Sequence, residues 1–244
     1  MTNDHEVAAR LATEAGELLL GVRAELADAD PKVRKDAGDK RSHEFLMTAL
    51  AAERPGDAVL SEEGADDQVR LTAERVWIVD PLDGTREFGE LGRTDWAVHV
   101  ALWQAGELVA GAVALPAQGV TLATPDVPPP PAPPAAPRIV VSRTRPPAVA
   151  LQVRDALGGV LVEMGSAGAK VASVVQGIAD VYVHAGGQYE WDSAAPIAVA
   201  RAAGLHTSRI DGSPLRYNQD DVLLPDLVVC WPELAEAVLA VTAG

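Results

Sequence analysis

The stretch VWIVDPLDGTREF, residues 76–88, contains the sequence features that decide the fold and the site of this chain. A hydrophobic strand delivers Asp80 at its end, and Pro81 stops strand pairing. Asp83 follows three residues later on a turn that Gly84 permits. Two carboxylates therefore leave a rigid strand toward one point. Taken alone, Asp-x-x-Asp-Gly also fits a solvated turn. Other parts of the sequence are needed to distinguish such a turn from a functional site.

Three further acidic residues occupy strand-end or helix-start positions. Glu62 and Glu63 follow a short apolar strand in LSEEG, and Asp192 opens a helix in YEWDSAAP. Ligands and metals usually bind at such positions in α/β structures. Clustered carboxylates repel each other unless they are protonated or neutralised by a cation. All-oxygen ligands favour a hard ion such as Mg²⁺, and two such ions can activate a water and stabilise the leaving oxygen of an in-line displacement.

Composition limits the class of protein. Of 244 residues, 48% are apolar and 23% charged, which is enough for a buried interior. The formal charge of -15, without a basic stripe, argues against a nucleic-acid polymer as partner. The single cysteine, Cys230, excludes an internal disulfide and is expected in the core. We find neither a membrane-spanning apolar run nor a signal peptide, so we expect a cytoplasmic enzyme.

The pattern of elements predicts an α/β protein with two lobes. Helices are expected over residues 4–26, capped by Asp4, and over 42–53, with 36–40 as a polar loop between them. Strands at 58–61, 76–80, 96–103 and 108–115 then form a meandering sheet. In the second half, strands at 138–142, 160–163, 179–184 and 226–230 alternate with helices at 146–157, 166–176, 193–203 and 233–241.

A Pro-rich segment separates the two halves. Residues 125–137 contain eight prolines, which favour an extended polyproline connection at the surface. We therefore predict an α+β lobe over residues 1–124 with most metal ligands, and an α/β lobe over 138–244 that completes the metal and substrate site.

Four motifs resemble the inositol monophosphatase superfamily of lithium-sensitive phosphatases. They are EE at 62–63, DPLDGT at 80–85, GSAGAK at 165–170 and WDSAAP at 191–196, and they span nearly the whole chain. The resemblance implies a layered αβαβα sandwich. LDGTREF and EWDSAAP are closer to the CysQ-type 3'-phosphoadenosine 5'-phosphate phosphatases, especially actinobacterial ones, than to the IDGTTNF form of inositol monophosphatases.

That resemblance implies a Mg²⁺-dependent phosphomonoesterase of sulfate assimilation. It would remove the 3'-phosphate of 3'-phosphoadenosine 5'-phosphate to give AMP, with 3'-phosphoadenylyl sulfate as a further substrate. Inositol-1-phosphate and fructose-1,6-bisphosphate are the alternative substrates, and a dual activity is compatible with a metal-held phosphate. A non-catalytic nucleotide-binding protein of the same fold is the alternative of another class. Related enzymes are commonly homodimers.

The resemblance also implies a ligand set. Glu62, Asp80 and the Leu82 carbonyl would hold one Mg²⁺, and Asp80, Asp83 and Asp192 a second, so that Asp80 bridges the two ions. Asp192 is assigned to the substrate-binding set as well.

The implied catalytic set is Asp39, Glu62 and Thr85. Asp39 with Thr85 would orient the attacking water, and a third, weaker ion would lie between Asp39 and Glu62. The local sequence AGDKRS lacks the threonine of the family's TxAD motif.

The substrate phosphate would contact the backbone N–H groups of Gly84, Thr85, Gly165 and Ser166, where a helix N-terminus favours an anion. Arg86 and Lys170 are candidates for contacts with phosphate or nucleotide, although each also fits an ordinary salt bridge.

Among the histidines, His99 and His206 are expected to be structural polar residues. His184, next to a Gly-Gly turn, is a candidate for contact with substrate.

Overall fold

The first half of the chain folds into two long helices and a five-stranded sheet. The computed structural model describes residues 3–243. In chain order the elements of this half are α1 (Asp4–Glu25), α2 (Pro31–Glu53), β1 (Ala58–Ser61), β2 (Arg75–Asp83), α3 (Thr85–Gly89), β3 (Ala97–Gln104), β4 (Glu107–Leu115) and β5 (Val120–Ala123). The strand order is β1-β2-β3-β4-β5; β1 is parallel to β2, and the other neighbours are antiparallel.

The second half builds a mixed sheet with helices on both faces. Its elements are β6 (Arg138–Ser142), α4 (Ala148–Leu157), β7 (Val160–Met164), α5 (Ala167–Val175), β8 (Val181–Tyr189), α6 (Glu190–Ala202), β9 (His206–Ser208), β10 (Leu223–Cys230) and α7 (Pro232–Thr242). The strand order is β7-β6-β8-β10-β9, parallel among β7, β6 and β8 and antiparallel beyond β8.

These elements stack in five layers. Helices α1 and α2 cover one face of the first sheet, α5 and α6 pack between the two sheets, and α4 and α7 cover the far face of the second sheet. Three sets of buried apolar residues fill the spaces between the layers, and the central set includes residues of both sheets. The predicted αβαβα sandwich is confirmed, with Cys230 in the outer core beside α4 and α7.

Helix α2 corrects one prediction. Residues 36–40 are not a loop, because α2 begins at Pro31 and runs without a break. Its polar residues are held by tertiary contacts: the buried Arg34 donates to carbonyl oxygens, including that of Gly89, and Ser42 Oγ donates to the Pro81 carbonyl oxygen at 2.7 Å. Within residues 36–40 only Gly38 is buried, so the polarity that suggested a loop belongs largely to the exposed side of a helix.

Other boundaries also differ from the predictions. Asn3, rather than Asp4, caps α1, since its side chain accepts from the Glu6 N–H. The short strands β5 and β9 were not predicted, and each lies at the edge of its sheet. Helix α6 begins at Glu190, so Asp192 is the third residue of the helix rather than its first.

The Pro-rich segment 125–137 contains no helix or strand and is mostly exposed, although Val127 is buried. The division into lobes at this segment stays a prediction, and its outer limits, residues 1 and 244, lie outside the described residues. Among residues 3–243, no helix combines the length and the apolar character needed to cross a membrane.

Candidate metal centre and active site

Three carboxylates meet between the two sheets. Asp80 and Asp83 come from the end of β2, where the pairing register with β3 shifts between them. This irregularity lets residues three apart point to one side of the strand. Asp192 comes from the first turn of α6 and accepts from the Tyr189 N–H at 2.6 Å. One oxygen of each of the three carboxylates lies within 4.8 Å of the others.

Asp80 is the most deeply buried member and lacks a full set of partners. Its Oδ1 accepts from the Leu82 N–H at 3.0 Å, but its Oδ2 is buried and has no hydrogen-bond partner within residues 3–243. Burial, followed by the charge of Glu62, raises the pKa of Asp80 well above its usual range. A buried carboxylate oxygen without a partner is costly. The all-oxygen donor set fits a hard divalent cation, which would remove this cost.

Asp83 differs because the protein itself stabilises its charge. It accepts from the N–H groups of Ala167 at 3.2 Å and Gly168 at 2.5 Å, at the start of α5. His99 Nε2 lies 3.2 Å from Asp83 Oδ2. Burial acts to raise the pKa of Asp83, yet His99, Ser166 and these N–H donors lower it overall. Asp83 is therefore held ionised before any cation binds.

Glu62 adds a fourth carboxyl beside Asp80. The residue as a whole is exposed, but its carboxyl end lies in the cleft, where burial and then the charge of Asp192 raise the pKa of Glu62 to about 7. Burial and then the charge of Asp83 raise the pKa of Asp192 to about 6. Mutual repulsion of this kind is what a bound cation relieves.

The structure brings Asp39 and Thr85 together, as the resemblance implied. Thr85 Oγ1 lies 3.2 Å from Asp39 Oδ1 and 3.1 Å from the Leu82 carbonyl oxygen. Asp39 is on α2, so the missing threonine of the family motif does not prevent this contact. Burial and then the charge of Glu63 raise the pKa of Asp39 to about 7.

The predicted phosphate contacts of Gly165 and Ser166 conflict with the geometry. The Gly165 N–H donates to Asp95 Oδ2 at 2.6 Å, and the Ser166 N–H donates to the Asp95 carbonyl oxygen at 3.3 Å. Ser166 instead caps α5 by accepting from the Ala169 N–H. Both backbone donors are thus committed to Asp95 and not free for an anion.

Lys170 lies buried on the wall of the site. Its Nζ donates to the carbonyl oxygens of Gly165 and Ser166, and burial lowers its pKa. The same Nζ also lies 5.5 Å from the centroid of the Tyr182 ring. Arg86 lies elsewhere: its side chain is exposed, 3.4 Å from Glu90, and lines a different groove.

A cavity of about 460 Å³ adjoins the carboxylates. Besides Asp83 and Asp192 its walls include Gly84, Lys170 and His184, the histidine predicted from the sequence as a candidate for substrate contact. Arg145 also lines the cavity, and it was not among the residues predicted from the sequence. Arg145 follows β6 in SRTR, a basic pair just after a strand, and that position was the available signal. Burial and then the charge of Lys170 lower the pKa of His184 to about 4.

His99 is the residue of the site that sequence reasoning placed least well. It is fully buried, as expected of a structural polar residue, but it contacts the carboxylate cluster. The only signal in the sequence was a single histidine in an apolar strand.

Comparison with known families shows to which family this chain belongs. The model of the Inositol monophosphatase family matches residues 1–126 and 139–243, leaving out most of the Pro-rich segment. The chain belongs to the inositol monophosphatase family. Within this family, the chain is 53% identical to a 3'-phosphoadenosine 5'-phosphate phosphatase of Mycobacterium leprae, over 98% of this chain and 93% of that protein.

More distant family members agree with this placement. The chain is 30% identical to the 3'(2'),5'-bisphosphate nucleotidase CysQ of Escherichia coli, over 88% of this chain and 94% of that protein. The crystal structure of CysQ from Bacteroides thetaiotaomicron, at 30% identity, superposes with a TM-score of 0.75 over 92% of this chain and 96% of that one. The resemblance to inositol monophosphatases found in the sequence is confirmed.

Proposed function

We propose that this chain is a metal-dependent phosphatase that hydrolyses the 3'-phosphate of 3'-phosphoadenosine 5'-phosphate. One water is consumed, the phosphorus–oxygen bond at the 3' position breaks, and AMP and inorganic phosphate leave. The observation that carries the proposal is the meeting of Asp80, Asp83 and Asp192 around a buried oxygen without a partner, beside a cavity whose walls include Arg145 and Lys170. The names of relatives at 53% and 30% identity support the choice of substrate.

The protein would hold two Mg²⁺ ions with the predicted ligands, Glu62, Asp80 and the Leu82 carbonyl for one, and Asp80, Asp83 and Asp192 for the other. Bound Mg²⁺ supplies charge neutralisation for the phosphoryl group and an activated water. A third ion between Asp39 and Glu62 belongs to the same proposal.

Asp39 and Thr85 orient the attacking water. Thr85 donates its single hydroxyl proton to Asp39, which leaves the lone pairs of Thr85 Oγ1 to accept from the water. With its pKa near 7, Asp39 is suited to share that proton at neutral pH. The start of α3 at Gly84 and Thr85 is the proposed contact for the phosphate.

The cavity walls supply the recognition of the rest of the substrate. Lys170 and Arg145 provide positive charge for a second phosphate, which a bisphosphate nucleotide has and inositol-1-phosphate lacks. 3'-Phosphoadenylyl sulfate carries a comparable anion in place of the second phosphate. Arg86 has its partner in Glu90 and remains a weaker candidate for substrate contact.

Relative kcat/KM values for 3'-phosphoadenosine 5'-phosphate, inositol-1-phosphate and fructose-1,6-bisphosphate test the substrate. We expect the nucleotide to be the best substrate, by at least about tenfold, since each charge-assisted hydrogen bond contributes about 1.5–3 kcal/mol. Faster turnover of inositol-1-phosphate would contradict the proposal while leaving the metal centre intact.

Asp83→Asn tests the metal centre. We expect kcat/KM to fall by at least about 100-fold, because even the partners that orient metal ligands contribute about 10–100-fold. The matched control is Asp126→Asn in the exposed segment after β5, which should keep full activity. Activity of Asp83→Asn equal to that of the control, or activity that survives excess chelator, would argue against metal catalysis.

A cytoplasmic location and a homodimer complete the proposal. Both come from the sequence and from related enzymes. Fractionation of cells and sedimentation equilibrium of the purified protein test them.

A further inference from the structure

One buried imidazole joins three elements of the carboxylate cluster. His99, on β3, is fully buried. Its Nδ1 lies 3.0 Å from the carbonyl oxygen of Trp191, the residue before Asp192 on α6. A carbonyl oxygen only accepts, so Nδ1 carries a proton and donates it. The opposite ring nitrogen, Nε2, lies 3.2 Å from Asp83 Oδ2, and this contact is attractive when Nε2 carries a proton as well and the ring is an imidazolium. A single side chain thus contacts one acidic residue directly and the backbone next to another.

The approach of His99 to Asp83 depends on Gly168. The Gly168 N–H donates to Asp83 Oδ2 at 2.5 Å, and His99 Nε2 approaches the same carboxylate oxygen to 3.2 Å, without a hydrogen bond of good geometry. A Cβ at position 168 would lie 1.9 Å from His99 Nε2 and 2.9 Å from Asp83 Oδ2. Only glycine leaves room for the ring at this point of α5. This gives a physical reason for the second glycine of the GSAGAK motif.

We propose that His99 is a positioning residue of the metal centre, which sets the orientation of the Asp83 carboxylate and its distance from Asp192. The inference rests on the proposed metal-dependent function. Asp83 also accepts from the backbone of α5, so the ring adds a partner from β3 against the repulsion between two carboxylates this close when no cation is bound. A polar group that orients a metal ligand typically contributes 10- to 100-fold to metal affinity.

The test measures Mg²⁺ binding to the substrate-free protein by isothermal titration calorimetry. His99→Leu keeps a similar apolar volume and removes both polar contacts, and we expect the Kd for Mg²⁺ to rise about 10- to 100-fold. His99→Gln retains an amide that can donate to the Trp191 carbonyl, so it should recover part of the affinity. This rescue distinguishes a positioning role from simple packing.

Val100→Ala is the matched control. Val100 is the next residue on β3, equally buried, but it belongs to the core on the α1 side of the sheet. We expect a lower Tm from the cavity and an unchanged Kd for Mg²⁺.

Gly168→Ala tests the same contact without changing the imidazole. Its methyl group displaces His99, so the Kd for Mg²⁺ should rise while His99 is still present. This variant also serves if His99→Leu does not fold.

Three outcomes would overturn the inference. An unchanged Kd in both His99→Leu and Gly168→Ala would remove the positioning role and leave the metal centre standing. Tighter binding in these variants would show that the ring opposes the cation. A wild-type protein that binds no Mg²⁺ would instead overturn the proposed metal centre, and the role of His99 with it.

Discussion

His184 is a half-buried titratable residue on the wall of the cavity beside the carboxylates. Burial and the neighbouring charge of Lys170 lower its pKa to about 4, against about 6.5 in an unfolded chain. Between these values the unfolded state binds more protons than the folded state, so stability falls as pH falls. The stability that depends on a neutral His184 is fully present above pH 6.5 and is lost as the pH falls toward 4.

We therefore expect His184→Gln to reduce the acid sensitivity of the fold. From pH 7 to pH 4 the stability of the wild type should fall relative to the variant by at most about 3 kcal/mol. Urea unfolding of both proteins with excess chelator measures the difference, and the carboxylates common to both cancel. A constant difference across this range would show that His184 is not held neutral by the fold.

At the scale of elements, the turn from β2 into α3 sets the position of Asp83 and Thr85. Gly84 has φ of 82°, in the left-handed region, and a Cβ there would lie 2.7 Å from Ser166 Cβ. The turn thus needs glycine both for its conformation and for its contact with the start of α5. The register shift between Asp80 and Asp83 precedes it directly.

Gly84→Ala should lose more stability than Gly92→Ala. Gly92 has a similar φ of 88° but no atom within 4 Å of a Cβ, so its cost is conformational alone, about 1–2 kcal/mol. Gly84→Ala adds overpacking against Ser166, a further ~1–3 kcal/mol. Urea unfolding of the two variants separates these causes. Equal losses would show that the contact with Ser166 relaxes at no cost.

At the scale of the whole molecule, the carboxylate cluster connects the first sheet to the helices between the sheets. The chain carries a formal charge of -15, and its buried carboxylates repel one another without a cation. A ligand that binds only the folded state stabilises it by mass action. Mg²⁺ should therefore stabilise the entire fold, beyond its effect on activity.

We expect Mg²⁺ at 100 times its Kd to stabilise the protein by about 2.7 kcal/mol, which raises Tm by roughly 5–10 °C for a chain of this size. Thermal unfolding in Mg²⁺ is compared with unfolding in NaCl of equal ionic strength, so that screening is matched. Asp80→Asn should lose this increase, while its Tm without Mg²⁺ should not fall, since a costly buried charge is removed. A full increase in Asp80→Asn would place the cation elsewhere.

The sequence by itself determined the layered fold class and the acidic residues that meet in the site. Asp80, Asp83 and Asp192 stand at strand ends or helix starts, and an apolar run followed by Pro, Gly or a turn is a local signal. Such signals need no knowledge of the distant chain. The pairing of Asp39 with Thr85 was implied by the family resemblance and not by a local signal of this kind.

The tertiary structure decided which polar groups already have partners within the protein. Asp95 takes the N–H groups of Gly165 and Ser166, Arg34 and Ser42 keep α2 continuous, and His99 reaches Asp83 across the place where Gly168 lacks a side chain. Nothing local reveals these contacts, because their partners lie on elements far apart in the chain. They form only when the layers pack, and a buried polar group then takes whichever partner the packing brings within hydrogen-bond distance.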